Sequence, residues 1–527
     1  MTRGSRPVSA ALGSPQREQH HPKECAMKRS RRALAARAAA ILVGATLCVF
    51  VVGRGFLVAF DWRFHPTPAP TKLPPPADRA DAAHQDLEAL AQLVRLDRSF
   101  TAESAQRFEA ERTKLVASAN DLSRQAFEMQ VSRLVALAGN GHTTVGRRLR
   151  RLNRVPIRVA WFAEGLFVVR AMEPFEDLVG SQVLSIDGKA PGDVLTALTP
   201  YLSGTADHAK SISPLILESP DALNGMWPAM SADSATYVLR KASGALVTVS
   251  LEGIAPGLQS SSVAPTRDLA PQHEMNETGA WHGVLSRRTD LPSVLRDPDA
   301  SVFVQRLDHG DGLYVHIATV EGDERGAIAD QLANVLDPIM PGSLRYAILD
   351  LRFNGGGDYL QTLRFTRELP KRIAGDGMLF ILTDHATFSA ALVTAARAKY
   401  FARDRVTILG EQVGDREQFW AESGPPLELP NSRISVYFAT GYHDWARGCR
   451  WKDLTRCFWF NIAFDVAAGD LSPNASIAWR FADYRDGVDT VMEQALRRAQ
   501  QYTQKDSSWS PQAAIPTITA ALLLTFR

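Results

Sequence analysis

The chain has 527 residues, 45% of them hydrophobic and 22% charged, the balance of a globular protein long enough for two or three domains. Lys+Arg number 59 against 57 for Asp+Glu, so the charge gives no reason to expect a nucleic-acid partner. The cysteines are four, with no histidine at zinc-finger spacing, and no metal site is expected.

The segment before Met27 is polar and rich in His, Pro and Gln, and the expectation is that translation begins at Met27. A basic cluster, "MKRSRR", then leads into an apolar run from Ala38 to Phe60 broken only by Arg54. That run is long enough to cross a bilayer, and the Lys/Arg cluster should stay on the cytoplasmic side. The expectation is a single-pass anchor in the inner (cytoplasmic) membrane, covering residues 1–64, with the main body extracytoplasmic or periplasmic. A cleaved signal peptide is the competing reading, but no small-residue cleavage site follows the apolar core. Cys48 does not sit in a lipoprotein site, and Arg31-Arg32 is too little for twin-arginine export.

Residues 65–81, "HPTPAPTKLPPPADRAD", form a stiff proline-rich spacer. Residues 82–150 carry Leu, Ala, Glu and Arg at helical spacing, ending in "LVALAGNGHTTVG", where Asn140 and the glycines stop the last helix just before His142. Residues 151–255 alternate as strands ("VPIRVAWF", "LFVVRAM", "SQVLSIDG", "ATYVLRK", "LVTVSLE") and predict a small β-rich domain. Residues 256–299, rich in Ser, Pro and Gln, read as an irregular connection. Over residues 300–505 strands and helices alternate, which predicts a parallel α/β layer whose ligands bind beyond the carboxyl ends of the strands. Residues 506–527 form a tail to which no function is assigned.

Two turns leave strands at that edge: "LDLRFNGGGDY" and "LTDHATFSAAL". Ser389, at the start of a helix, is either an N-cap or a nucleophile. As a nucleophile it would draw on the N–H of Ala390 and on Gly355, Gly356 or Gly357 to hold an oxyanion, and on His142 as base. His385 reads as a loop histidine, and His443-Asp444 as a solvated loop. Cys449 and Cys457 are either a local disulfide, in an oxidising compartment, or two free thiols. Trp445, Trp451, Phe458, Trp459 and Phe460 crowd around them as a small local core or a lid.

These segments together resemble the tail-specific, or C-terminal processing, serine peptidases, in particular their tricorn-core-like branch. "LVALAGNGHTTV" is similar to the family's Leu-rich helix ending in Asp-Gly-His-Thr. "LFVVRAMEPFEDLVGSQVLSIDGKAPGDVL" is similar to its PDZ-like domain, and "YAILDLRFNGGGDY" to its Asp-Leu-Arg-x-Asn-x-Gly-Gly signature. "TFSAALVTAA" resembles the helix that begins with the nucleophile. "ILGEQVG", "LELPNSRISVYFAT" and "LSPNASIAWRFADYRDGVDTVMEQAL" follow in the family's order. The resemblance implies an α+β multidomain fold: an N-terminal membrane anchor, a small helical region, a PDZ-like domain and a ClpP/crotonase-like α/β protease domain. It implies Ser389 as nucleophile, His142 as base, Asp465 or Asp470 as the orienting carboxylate, and Gly356, then Gly357, with Ala390 as oxyanion donors. Asp350 and Arg352 become structural. The substrate is an unfolded or C-terminally exposed polypeptide, and no cofactor is implied.

The departures are specific. Arg416 stands where the processing peptidases place a lysine base, and an arginine stays charged at any working pH. A serine–lysine dyad would need Lys399 or another lysine from elsewhere. Asn140, Leu392 and Asn474 replace acidic residues of the family. The alternative is therefore a catalytically inactive protein that binds peptides or apolar ligands on the same fold.

Overall fold

A computed structural model describes residues 22–70, 73–146, 152–255, 265–271 and 281–507. The C-terminal tail beyond residue 507 and the segment before residue 22 lie outside the described residues. The chain parts into two units between Arg63 and Phe64. The described part of the first is the helix α1 (Pro22–Phe64), whose final residue belongs to the second unit and whose segment Leu42–Phe64 is long and apolar enough to cross a membrane.

The second unit opens with a helical region whose three longer helices are α2 (Arg79–Leu90), α3 (Ala102–Ser118) and α4 (Arg124–Ala136). Each starts on a side-chain cap: Asp78 accepts from Asp81 N, Thr101 and Ser104 cap each other reciprocally, and Ser123 accepts from Ala126 N. Their apolar face is completed from far along the chain. Leu87, Leu90, Phe108 and Val131 pack with Leu427, Leu429, Val436 and Phe438. A short strand after α4, β1 (Val145–Gly146), pairs with Ser435–Val436. The helical region and the late Leu-Pro-Asn-Ser segment thus share one core.

The β-rich region is an antiparallel sheet in the order β2 (Ile157–Phe162), β3 (Gly165–Met172), β4 (Gln182–Ile186), β5 (Ser234–Arg240), β6 (Leu246–Glu252). Between β4 and β5 lie helices that the strand-only reading did not contain: Pro191–Leu198, α5 (Ala206–Leu217) and α6 (Pro220–Met226). They are short and carry Pro191, Pro214 and Pro220, which read as loop punctuation in sequence. The connection after β6 is not wholly irregular either, since Trp281–Gly283 pairs with β3.

The last layer is a six-stranded sheet built from β7 (Val302–Leu307), β8 (Gly312–Ile317), β9 (Leu344–Asp350), β10 (Ile373–Thr383), β11 (Val406–Gly410) and β16 (Ala475–Ser476). Its order is β16-β11-β10-β9-β8-β7, parallel except for β7. Such a sheet must be covered on both faces. Ala347 and Leu349 face α7 (Ile328–Leu336), α8 (Leu363–Arg372) and α9 (Ala390–Ala402). Tyr346 and Ile348 face the opposite core, filled by Val491, Met492, Ala495 and Ala499 of α10 (Thr490–Ser507).

Arg352, just past β9, is buried between Asp350 (2.6 Å) and Asp489 (2.6 Å), tying the strand end to the start of α10. Burial alone would raise the Asp350 carboxyl, but the Arg352 guanidinium outweighs it and holds that carboxyl below the ordinary range. The remaining strands, β12 (Gln418–Ala421), β13 (Leu427–Glu428), β14 (Ser435–Val436) and β15 (Gly441–Asp444), form two small sheets after β11, with β12 pairing β15 and β14 lying between β1 and β13.

Candidate active site

β10 and α9 meet at a turn whose last residue is Ser389, half-buried, with φ 54° and ψ −121°. It occupies the N-cap position of α9 but makes no capping hydrogen bond. A non-glycine residue in this region is strained, by about 1–3 kcal/mol, and the usual reason to place a serine at a helix start is missing. Gly356, φ 111°, approaches so closely that a Cβ there would lie 2.7 Å from Ser389 Cβ and 3.2 Å from Ala390 N. The second glycine of the triplet is needed because nothing larger fits beside the serine.

Asn354 shapes that glycine turn. Its Nδ2 donates to Ile317 O (2.7 Å) and its Oδ1 accepts from Gly356 N (2.9 Å). The Gly356 N–H is therefore taken. The N–H groups of Gly357 and Ala390 have no acceptor among the described residues.

His142 lies in the turn after α4. Asn140 Oδ1 accepts from Trp420 N (3.2 Å), and Thr143 Oγ1 donates to buried Asp97 (2.5 Å). The imidazole is stacked between Phe388 (centroids 4.8 Å) and Phe419 (4.9 Å). Its Nε2 donates to Asp415 Oδ2 at 3.0 Å, and the Asp415 side chain is only 4% exposed. This fixes the proton on Nε2 and leaves Nδ1 as the basic nitrogen. Among the described residues, Ser389 Oγ and His142 are not joined by a hydrogen bond. Phe388, the residue before the serine, carries the contact to the ring.

Asp465 and Asp470, the carboxylates expected beside His142, are elsewhere. Asp465 ends a short helix with φ 40°, is 54% exposed and lies 4.0 Å from Arg450. Asp470 accepts from Ser472 N (2.8 Å) in an exposed turn, and that hydrogen bond holds its carboxyl below the ordinary range. Asp415, which takes their place, was not singled out in sequence, although it directly precedes Arg416 in the turn where the family's lysine was sought. Arg416 itself points to Gly139 O (3.3 Å) and is exposed. Lys399 does not reach the serine, its Nζ donating to Asp470 O.

The other departures have structural uses. Asn140 holds the His142 turn, Leu392 is core, and Asn474 Oδ1 accepts from Ile408 N (2.8 Å) beside β11. His443 is 1% exposed, contrary to a solvated loop, because the aromatic side chains of this region close over it. It stacks on Phe419 and Phe458 and accepts from Asn461 Nδ2 at 2.8 Å. His385 lies 3.1 Å from Glu411, which also meets Lys210 at 3.1 Å. Burial alone would raise the Glu411 carboxyl, but the contact with His385 and the Lys210 ammonium hold it at about 2. Cys449 and Cys457 form a disulfide, Cα–Cα 6.1 Å.

A cavity of about 660 Å³ opens beside this cluster, between β2 and α5 on one side and Gly355, Phe388 and Trp479 on the other. His208 of α5 lines it and stacks on the far face of Phe388 (4.2 Å). Burial lowers its pKa to about 4, Asp415 opposing and His142 reinforcing. α5 is held to the Asp415 turn by Thr205 Oγ1 donating to Gly414 O (2.6 Å) and by the Lys210–Glu411 pair. The described residues contain no cluster of His, Cys, Asp and Glu able to hold a metal ion.

No protein-family profile matches the chain, and no curated protein matches it. Solved structures do. Mature CPAF in complex with lactacystin superposes with a TM-score of 0.53 at 13% identity, over 81% of this chain and 99% of that one. Mature CPAF alone gives 0.52 at 14% identity with the same coverage. The photosystem II D1 C-terminal processing protease reaches only 0.32 at 14% identity, over 75% of this chain and 93% of that one, too low to argue from. The chain therefore has the fold of CPAF, and has it over nearly the whole length of that protein.

Proposed function

We propose that the chain is a serine peptidase of the tail-specific type, held at a membrane by α1 with its main body extracytoplasmic. The observation that carries this reading is Ser389: a strained serine at a helix start that caps nothing, beside a glycine turn and a histidine–aspartate pair.

The mechanism follows from the residues. Asp415 holds the His142 proton on Nε2, so Nδ1 takes the proton of Ser389 Oγ as that oxygen attacks the peptide carbonyl. The imidazolium so formed is stabilised by Asp415, then returns the proton to the leaving amine. The carbonyl oxygen becomes an anion held by the N–H groups of Ala390 and Gly357, which need not break an existing bond to receive it. Water repeats the sequence on the acyl-enzyme. Serine and histidine must close to hydrogen-bond distance on substrate binding, a tightening common to such sites. The cavity that β2 and α5 line opposite Gly355 and Phe388 receives the polypeptide, with an unfolded or C-terminally exposed chain as substrate and no cofactor required.

The test is casein hydrolysis by the unaltered chain beside Ser389→Ala and His142→Ala. Cleavage lost in both, with folding intact, supports the mechanism. A second reading, an inactive protein that binds peptides or apolar ligands, draws on the missing Ser389–His142 hydrogen bond and on the size of the cavity. No cleavage by the unaltered chain, with a ligand retained in the cavity, would favour it.

A further inference from the structure

The disulfide closes a loop that the catalytic reading does not use. Between Asp444 and Phe460 it presents Trp451 at 79% exposure, Leu454 at 41% and Phe460 at 42%; outside α1, Tyr400 is the one other exposed large aromatic side chain among the described residues. Interleaved with them are Arg447, Arg450, Lys452 and Arg456, all exposed. These four cations line a pocket of about 290 Å³. Its two carboxylates are turned onto the backbone: Asp444 accepts from Arg447 N (2.8 Å) and Asp453 from Arg450 N (3.1 Å). Arg456 is fixed over the Tyr442 ring at 3.8 Å. The result is a surface carrying aromatic and aliphatic side chains among guanidinium and ammonium groups.

Its place in the chain says what it meets. Phe64, the residue that ends the apolar helix, belongs to the second unit and packs edge-on against Phe458 (5.0 Å) and Trp459 (5.4 Å) of this same loop. The Phe64 carbonyl accepts from Thr440 Oγ1 at 2.6 Å. Whatever angle the helix takes, covalent continuity keeps the loop at the point where the chain leaves the apolar span. A tryptophan flanked by arginine and lysine suits the headgroup layer, where the indole is half-immersed and each cation gains from anionic lipid.

We propose that the Cys449–Cys457 loop docks onto the surface of the bilayer that α1 enters, with Trp451 and Leu454 in the interface and Arg447, Arg450, Lys452 and Arg456 on anionic phospholipid headgroups. This rests on reading α1 as a membrane span, and the experiment separates the two. The full chain is reconstituted into nanodiscs of phosphatidylcholine with or without phosphatidylglycerol, and amide hydrogen exchange is followed over residues 447–456. Exchange there should slow about tenfold in the anionic discs. High salt or Arg450→Glu/Lys452→Glu should remove the protection, and Arg450→Gln/Lys452→Gln should leave an intermediate value. Equal exchange in both lipids, with the chain still resisting extraction by alkaline carbonate, overturns the docking alone. Extraction of the whole chain by carbonate overturns the span and the docking together.

Discussion

Replacing Asp415 by Asn tests the catalytic assignment most directly. The Asp415 Oδ2 accepts from His142 Nε2 at 3.0 Å, and Oδ1 accepts from Arg416 N at 2.9 Å. An asparagine keeps the size and can keep the bond to Arg416 N with its oxygen, which turns its NH₂ toward His142. Two donors cannot face each other, so the imidazole moves its proton to Nδ1, the nitrogen that must accept from Ser389. Loss of the working tautomer in such triads costs about 10³–10⁴ in kcat, or roughly 4–5 kcal/mol of transition-state stabilisation. The assay is hydrolysis of casein and of a fluorogenic peptide, with thermal unfolding to establish that the fold persists. Asp465→Asn and Asp470→Asn, both exposed and away from His142, should stay within about twofold of the unaltered chain. Retention of more than a tenth of the activity by Asp415→Asn, or a large loss in either of the other two, would refute the reasoning.

Ser389→Gly should abolish activity while raising stability by about 1 kcal/mol, because glycine relieves the strain at φ 54°; a lower Tm for this variant would show that no strain is stored there. Gly356→Ala places a Cβ 2.7 Å from Ser389 Cβ at φ 111°, and should cut kcat at least about a hundredfold with a measurable fall in Tm. Arg352→Met leaves Asp350 and Asp489 buried without their cation and should cost about 3–5 kcal/mol in urea unfolding. The Glu411 carboxyl, ordinarily 4.5 and held at about 2, contributes stability fully above pH 4.5 and loses it as pH falls toward 2. Glu411→Gln should therefore lose stability near neutrality and unfold with a shallower acid dependence over that window.

The apolar helix, the alternation of strands and helices and the turns at Ser389, His142 and the glycine triplet were legible in sequence because each rests on a local signal. Hydrophobic periodicity marks strands and helices, and glycine runs mark turns that side chains would block. The helices between β4 and β5 were not legible, because three short segments opening on or containing proline look like loops until they pack on a sheet. His443 was misread for a similar reason. Its neighbours in sequence are polar and aromatic, and its burial comes from Phe419 and Phe458.

Which carboxylate meets His142 was decided by tertiary structure alone. His142 and Asp415 are 273 positions apart, and their approach depends on α4, the Asp415 turn and α5 all meeting beside Phe388. The family's order had pointed to the segment before the closing Pro-Asn, and Asp465 and Asp470 lie there, but the first ends a short helix exposed beside Arg450 and an exposed turn holds the second. The same holds for the donors proposed for the oxyanion. Sequence could supply three glycines, but only the fold shows that Asn354 occupies the N–H of Gly356 and leaves that of Gly357 unused. Residue types and local turns are written in short stretches of chain; the pairing of charges and donors over hundreds of residues is set by how the layers pack.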